Sequence, residues 1–153
     1  MPLELELRDP NKGALGPIAE VQKIIGEVLP GIRFWKELSG EQQILQAEAK
    51  GFTFPKGIRE DYMQIKEKYR GDYDGPNFSL EFCFGSSDLV DTVLLDVRGR
   101  GDAMTSIFNL MKKSGWQVIN LANRKSVTEA DWQSFQQWRD ESIAKIKDGE
   151  PGT

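Results

Sequence analysis

The chain has 153 residues, 39% hydrophobic and 29% charged, with a formal net charge of −4 and a sequence pI of about 5.0, the profile of one soluble globular domain. It contains no histidine, which excludes Ser–His–Asp and Cys–His catalysis and histidine-ligated metal sites. The acid excess argues against a nucleic-acid surface, which needs clustered Lys and Arg, and the single cysteine, Cys83, can make neither an internal disulfide nor a thiolate metal cluster.

The opening residues MPLELELRD carry no basic region followed by an apolar run, so they do not read as a signal peptide. No window approaches the roughly 18 apolar residues of a membrane span. The expectation is a cytoplasmic protein without membrane or nucleic-acid partners.

Leu3, Leu5 and Leu7 alternate with Glu4, Glu6 and Arg8, the period of a half-buried strand. A turn at residues 9–13 follows. Pro17 then opens a helix on which Ile18, Val21, Ile25 and Val28 recur at helical spacing, and Leu29-Pro30-Gly31 stops it. Ile32 to Lys36 reads as a short strand.

The segment 38–77 is an insertion between two halves of the pattern. Gln42 to Lys50 has helix-forming composition, yet Leu45, Ala47 and Ala49 alternate with Gln46 and Glu48. With Ser39-Gly40 suited to a hairpin turn and Phe52-Thr53-Phe54 extended in character, the reading adopted is a strand. Ile58, Tyr62, Ile65 and Tyr69 fall on one face of a helix that Gly71 ends. Residues 71–77 read as a loop.

Phe78, Leu80, Phe82 and Phe84 share one face of a strand, and Val93, Leu95 and Val97 one face of the next. An antiparallel hairpin must place both apolar sets on the same side. The expected register sets Phe82 opposite Val93, Leu80 opposite Leu95 and Phe78 opposite Val97. Glu81, Cys83, Leu94, Asp96 and Arg98 are left on a wet back face, with Glu81 and Asp96 diagonal neighbours. Asp102 then caps a helix carrying Met104, Ile107, Phe108 and Met111, with Lys112 and Lys113 in its last turn and Gly115 as its stop. Trp116 to Leu121 returns as a strand. A C-terminal helix of about 128–147 follows, with Trp132, Phe135, Ile143 and Ile146 on one side and Trp138 off that stripe. Trp35, Trp116 and Trp132 are expected in the core.

The sequence therefore predicts a single α+β domain over 1–153. Its mainly antiparallel sheet carries helices on one face in a split β-α-β, ferredoxin-like plan.

The candidate chemistry is sparse. Val97-Arg98-Gly99-Arg100-Gly101-Asp102 is a glycine-rich strand-to-helix turn, but Met104 stands where a dinucleotide fingerprint needs its third glycine, and no P-loop Lys-Ser/Thr follows. Asp72-Tyr73-Asp74-Gly75 fails as a calcium loop because Pro76 replaces the next ligand. Glu81 and Asp96, with the loop acids Asp88 and Asp91, could supply a carboxylate pair for acid–base work or a magnesium site. Cys83 lacks a histidine to activate it.

Val97-Arg98-Gly99-Arg100-Gly101-Asp102, together with Leu110, Gly115 and Trp116, resembles a group of small uncharacterised bacterial proteins with a V-x-G-G-G-D-P-like turn, a helix and a terminal G-W strand. The likeness covers about a third of the chain and departs at Arg100 and Ala103. It implies fold more than activity, and by analogy an immunity-type or partner-binding role.

The expectation is a non-enzymatic binding module without cofactor or metal, taking a basic protein surface. Its candidate interaction residues are Glu81, Asp96, Arg98, Arg100 and Trp138. The alternative is a small enzyme or small-molecule-binding protein using Glu81, Asp96 and the arginines near 98–100.

Overall fold

The computed structural model describes residues 3–128 together with Ala130, Asp131, Gln133 and Gln137. In chain order the elements are β1 (Leu3–Arg8), β2 (Gly16–Pro17), α1 (Ile18–Val28), β3 (Arg33–Glu37), α2 (Gly40–Ala49), α3 (Lys56–Met63), β4 (Lys68–Gly75), β5 (Phe78–Gly85), β6 (Leu89–Val90), β7 (Val93–Gly99), α4 (Ala103–Ser114), β8 (Gln117–Asn120) and β9 (Lys125–Ser126). Among the described residues seven strands form one sheet in the order β3-β4-β5-β7-β1-β8-β9, and β2 pairs with β6 in a small ribbon. Each of these pairings is antiparallel.

The alternation of Leu and Glu in β1 gives the sheet its two sides. Leu5 and Leu7 are fully buried and lie opposite Leu95 and Val93. Across β7, the phenylalanines of β5 extend the same apolar face, and it is roofed by Val21 and Ile25 of α1 and by Met104, Ile107 and Leu110 of α4. Side chains of this size each contribute about 1.5–3 kcal/mol when withdrawn from water, so this layer dominates the stability. α1 and α4 also touch each other, and Lys113 Nζ bonds Glu27 Oε2 at 2.6 Å. That cation holds the Glu27 carboxyl below its ordinary range.

α4 ends as its sequence requires. Asp102 accepts from the Met104 and Thr105 amides, both at 3.2 Å, and from the Thr105 hydroxyl at 2.6 Å. Gly115, at φ 77°, closes the helix in the left-handed conformation. The preceding glycines answer a packing demand. A Cβ on Gly99 or Gly101 would run into the backbone of Pro76 or Asn77, whose turn lies against theirs. The Arg100 and Gly101 amides donate to the Asn77 carbonyl at 2.8 and 2.7 Å.

Several expectations need correction. Gln42 to Lys50 is not a strand: Ser39 and Gln42 form a reciprocal capping box, at 3.2 and 3.0 Å, that nucleates α2. The helix expected through Tyr69 ends at Met63, because Lys68 onward is drawn into the sheet. Residues 71–75 are not a loop but the body of β4, held between β3 and β5. Sheet neighbours on both sides override the weak strand propensity of its Gly and Asp residues. Gly71 suits the place, since a Cβ there would meet the Phe34 ring at 3.2 Å. In the central hairpin Phe82 faces Leu95, Leu80 faces Val97 and Phe78 faces Gly99, two residues from the expected register. The faces are unchanged. The slip arises because the 85–92 connection is spent on a bend at Gly85 (φ 84°) and on β6, which pairs with β2. Trp35 is not core, being 44% exposed, whereas Trp116 is buried. Trp132, Phe135, Trp138 and most of the expected C-terminal helix lie outside the described residues. Thr128 does bond reciprocally with Asp131 at its start.

Candidate functional site: the open face of the sheet

The polar side of each strand faces away from α1 and α4, and the register decides which residues meet there. Asp72 of β4 lies opposite Glu81 of β5, Glu81 opposite Asp96 of β7, and Asp96 opposite Glu4 of β1. Four carboxylates thus stand in one row across four adjacent strands, a span of about 14 Å at ordinary strand spacing. Like charges directly opposite each other destabilise a sheet.

Neutralisation of the row is partial. Trp35 Nε1 donates to Asp72 Oδ2 at 2.9 Å, and Arg33 approaches the same oxygen at 4.0 Å. Arg98 reaches Glu81 at 3.7 Å. Among the described residues, neither Asp96 nor Glu4 has an ion-pair partner. The parallel row one pleat along is mixed: Trp35 faces Arg70, Arg70 faces Cys83, Cys83 faces Leu94, and Leu94 faces Glu6. Leu94 is 49% exposed. Arg70 gives both its Nε and one terminal nitrogen to Glu37 Oε2, at 3.1 and 3.0 Å. Burial draws its pKa down, but the Glu37 bond and the charges of Cys83, Glu37 and Glu81 outweigh this, so the net displacement is upward.

Of the expected site residues, Glu81, Asp96 and Arg98 are brought together, with Glu81 and Asp96 directly opposite rather than diagonal. Arg100 lies in the turn beyond β7, exposed. Trp138 lies outside the described residues. Asp88 and Asp91 belong to the connection after Gly85, away from the row. There Asp88 accepts from the Tyr69 hydroxyl at 2.8 Å, and this bond, with burial and the Asp88 and Glu67 charges, pushes the Tyr69 phenol up.

Compared with known proteins, the chain matches no family model, no curated protein and no solved structure. The site therefore stands on its own geometry.

Sequence reasoning missed Asp72, Glu4 and Trp35. Alternation alone put Glu4 on the polar face, but its neighbour Asp96 is 92 positions away along the chain. The row is not a metal cage: among the described residues no three Asp, Glu or Cys side chains converge in a way that could hold an ion. A cavity of about 360 Å³ near β8 and β9, lined by Leu3, Asn120, Val127 and Asp131 among others, contains none of the row's residues. A shallower one of about 550 Å³ is bounded by Arg33, Phe34, Trp35 and Asp72, where the row meets the sheet edge. No described helix is long and apolar enough to cross a membrane.

Proposed function

We propose that this protein is a non-enzymatic binding module that presents the open face of its sheet to a basic surface on a partner protein. The observation that carries this reading is the row Asp72-Glu81-Asp96-Glu4, an arrangement that lowers intrinsic stability and is rewarded only when cations cover it. Beside it Leu94 and Trp35 offer apolar area of the kind that anchors interfaces. Charge of this sort raises association rates and sets specificity. The partner-binding role suggested by the V-x-G-x-G-D turn and G-W strand is compatible with it.

We also infer the ferredoxin-like plan for the domain's centre. In support, the four strands β8-β1-β7-β5 run in that order, β1 and β5 point the same way with β7 between them, and α4 connects β7 to β8. On this reading the β3–β4 hairpin with its helical excursion widens the sheet beyond β5.

The deciding experiment retains proteins from source-cell extract on the wild type and on an Asp96→Lys/Glu81→Lys variant at low and high salt. A basic protein held by the wild type and released by the variant and by salt is the expected result. No retained protein at micromolar concentration, or the same protein held equally by the variant, would sink the proposal.

A further inference from the structure

β3 is the terminal strand of the seven-stranded sheet, and β4 is its neighbour within that sheet. Terminal strands offer unpaired backbone groups to another strand. Among the described residues the opposite end of the sheet is the two-residue β9, so β3 is the edge with length to offer. Its sequence is Arg33-Phe34-Trp35-Lys36-Glu37. We propose that two copies of this chain associate by antiparallel pairing of β3 with β3, joining their sheets into one.

The register follows from the side chains. A two-fold axis at Trp35 uses all five residues. It sets Arg33 of each copy opposite Glu37 of the other, Phe34 opposite Lys36, and Trp35 opposite Trp35. Opposite charges and aromatic pairs at directly opposed positions stabilise a sheet, and a cation beside a ring adds to them. The alternatives are poorer. Centring on Lys36 sets two like charges against each other. Shifting by one residue turns one copy's apolar face to the side of the other's polar face. The charges on β3 thus reward one pairing and penalise others, as an isologous contact requires.

The side chains are placed for it. The Arg33 side chain is 77% exposed and only loosely held, at 4.0 Å from Asp72. The Trp35 indole N–H is already satisfied by Asp72, while the residue remains 44% exposed. Both bonds from Arg70 fall on one oxygen of Glu37.

Five residue pairs alone bury less than the roughly 1,200–2,000 Å² of a stable interface. More exposed apolar surface lies in the segment that leaves the end of β3. Of the eight large hydrophobic residues exposed among the described ones, six fall between Trp35 and Ile65, on β3 or on the α2–α3 excursion that leaves its end. Antiparallel pairing carries each excursion toward the start of the other copy's β3. This inference uses an edge of the sheet and shares Trp35 with the surface proposed for the acidic row's partner, but it does not require that partner.

Sedimentation over a concentration series tests it. The wild type is expected to form dimers with a Kd on the order of 1–100 µM. Arg33→Glu, which sets Glu against Glu37 in both contacts, is expected to raise that Kd at least about tenfold while leaving the far-ultraviolet spectrum unchanged. Directly opposed residues have Cα atoms about 4.5–5.5 Å apart, within disulfide reach. The Cys83→Ser/Trp35→Cys protein should therefore form a covalent dimer on mild oxidation, and Cys83→Ser/Leu94→Cys should not. A wild type still monomeric at about 100 µM overturns the proposal. So does a dimer indifferent to Arg33→Glu, or one that Trp35→Cys does not trap. If Arg33→Glu fails to fold, the cross-link decides.

Discussion

Replacing Asp96 by Asn keeps the shape of the side chain and removes one charge from the middle of the acidic row. Two carboxylates on directly opposed residues lie about 5 Å apart, where Coulomb repulsion is about 0.8 kcal/mol per pair in a water-like dielectric and roughly half that at 0.1 M salt. Asp96 has two such neighbours, Glu81 and Glu4, and Arg98, two residues along the same strand, offsets part of the sum. The expected gain is therefore about 0.5–1 kcal/mol, which for a domain of this size is a rise in Tm of about 1–3 °C. Glu81→Gln should gain less, because it strands Arg98, now 3.7 Å from the carboxylate. Thermal melts at about 20 mM and about 1 M salt separate charge from shape, since screening shortens the Debye length to about 3 Å at the higher concentration. A Tm that falls or stays level at low salt refutes the reasoning. So does a rise of equal size in high salt. If the row serves binding, the stabilised variant should hold its basic partner less well, the usual exchange of function for stability.

Other perturbations follow from the frame that holds this face. Asp102→Ala should cost about 0.5–2 kcal/mol in a urea melt, the usual worth of a lost N-cap. The Asp102 carboxyl is held below its ordinary 3.8 by the Thr105 hydroxyl foremost, with the Thr105 and Met104 amides adding to it against burial. A depressed folded-state pKa stabilises above the unfolded value and fades as pH falls through the folded one. The wild type's advantage over Asp102→Ala should thus be full above pH 3.8 and shrink below it. Gly101→Ala drives a Cβ into the Pro76 carbonyl and should cost about 1–3 kcal/mol or more, read as an earlier denaturant midpoint. Gly40→Ala meets the Tyr62 carbonyl, where α2 begins beside the end of α3. There the expected effect is local, with faster proteolysis and amide exchange in 40–65 and little change in the core helices.

The fold was legible wherever one short stretch carried the whole signal. The Leu–Glu alternation of β1, the Asp102 cap, the Gly115 stop and the apolar set of β5 are each settled by residues within a few positions of one another. β4 was not legible, because Gly71, Asp72, Asp74 and Gly75 read as a loop until strands on both sides supply their partners. α2 was misread although its Ser39–Gln42 box is local. The alternation of Leu45, Ala47 and Ala49 competed with it, and alanine is a poor witness for either period, being small enough for both.

The site shows the same division more sharply. Period-two alternation assigns Glu81, Asp96 and Arg98 to the polar face whichever even slip the hairpin takes, so the face could be read from sequence. What stands beside what could not. A slip of two residues preserves every inward and outward assignment yet turns Glu81 and Asp96 from diagonal into direct neighbours. The row is completed by Asp72 and Glu4, whose positions depend on strand order. A charge pattern that runs across strands is perpendicular to the chain, and no window along the sequence contains it. The proposed binding surface therefore has to be probed by rows and not by segments. Charge removal at Asp72, Glu81, Asp96 and Glu4 should act on the same partner and show coupling between adjacent members, whereas Asp88 and Asp91, closer to Glu81 along the chain than Asp96 or Glu4, should leave partner binding unchanged.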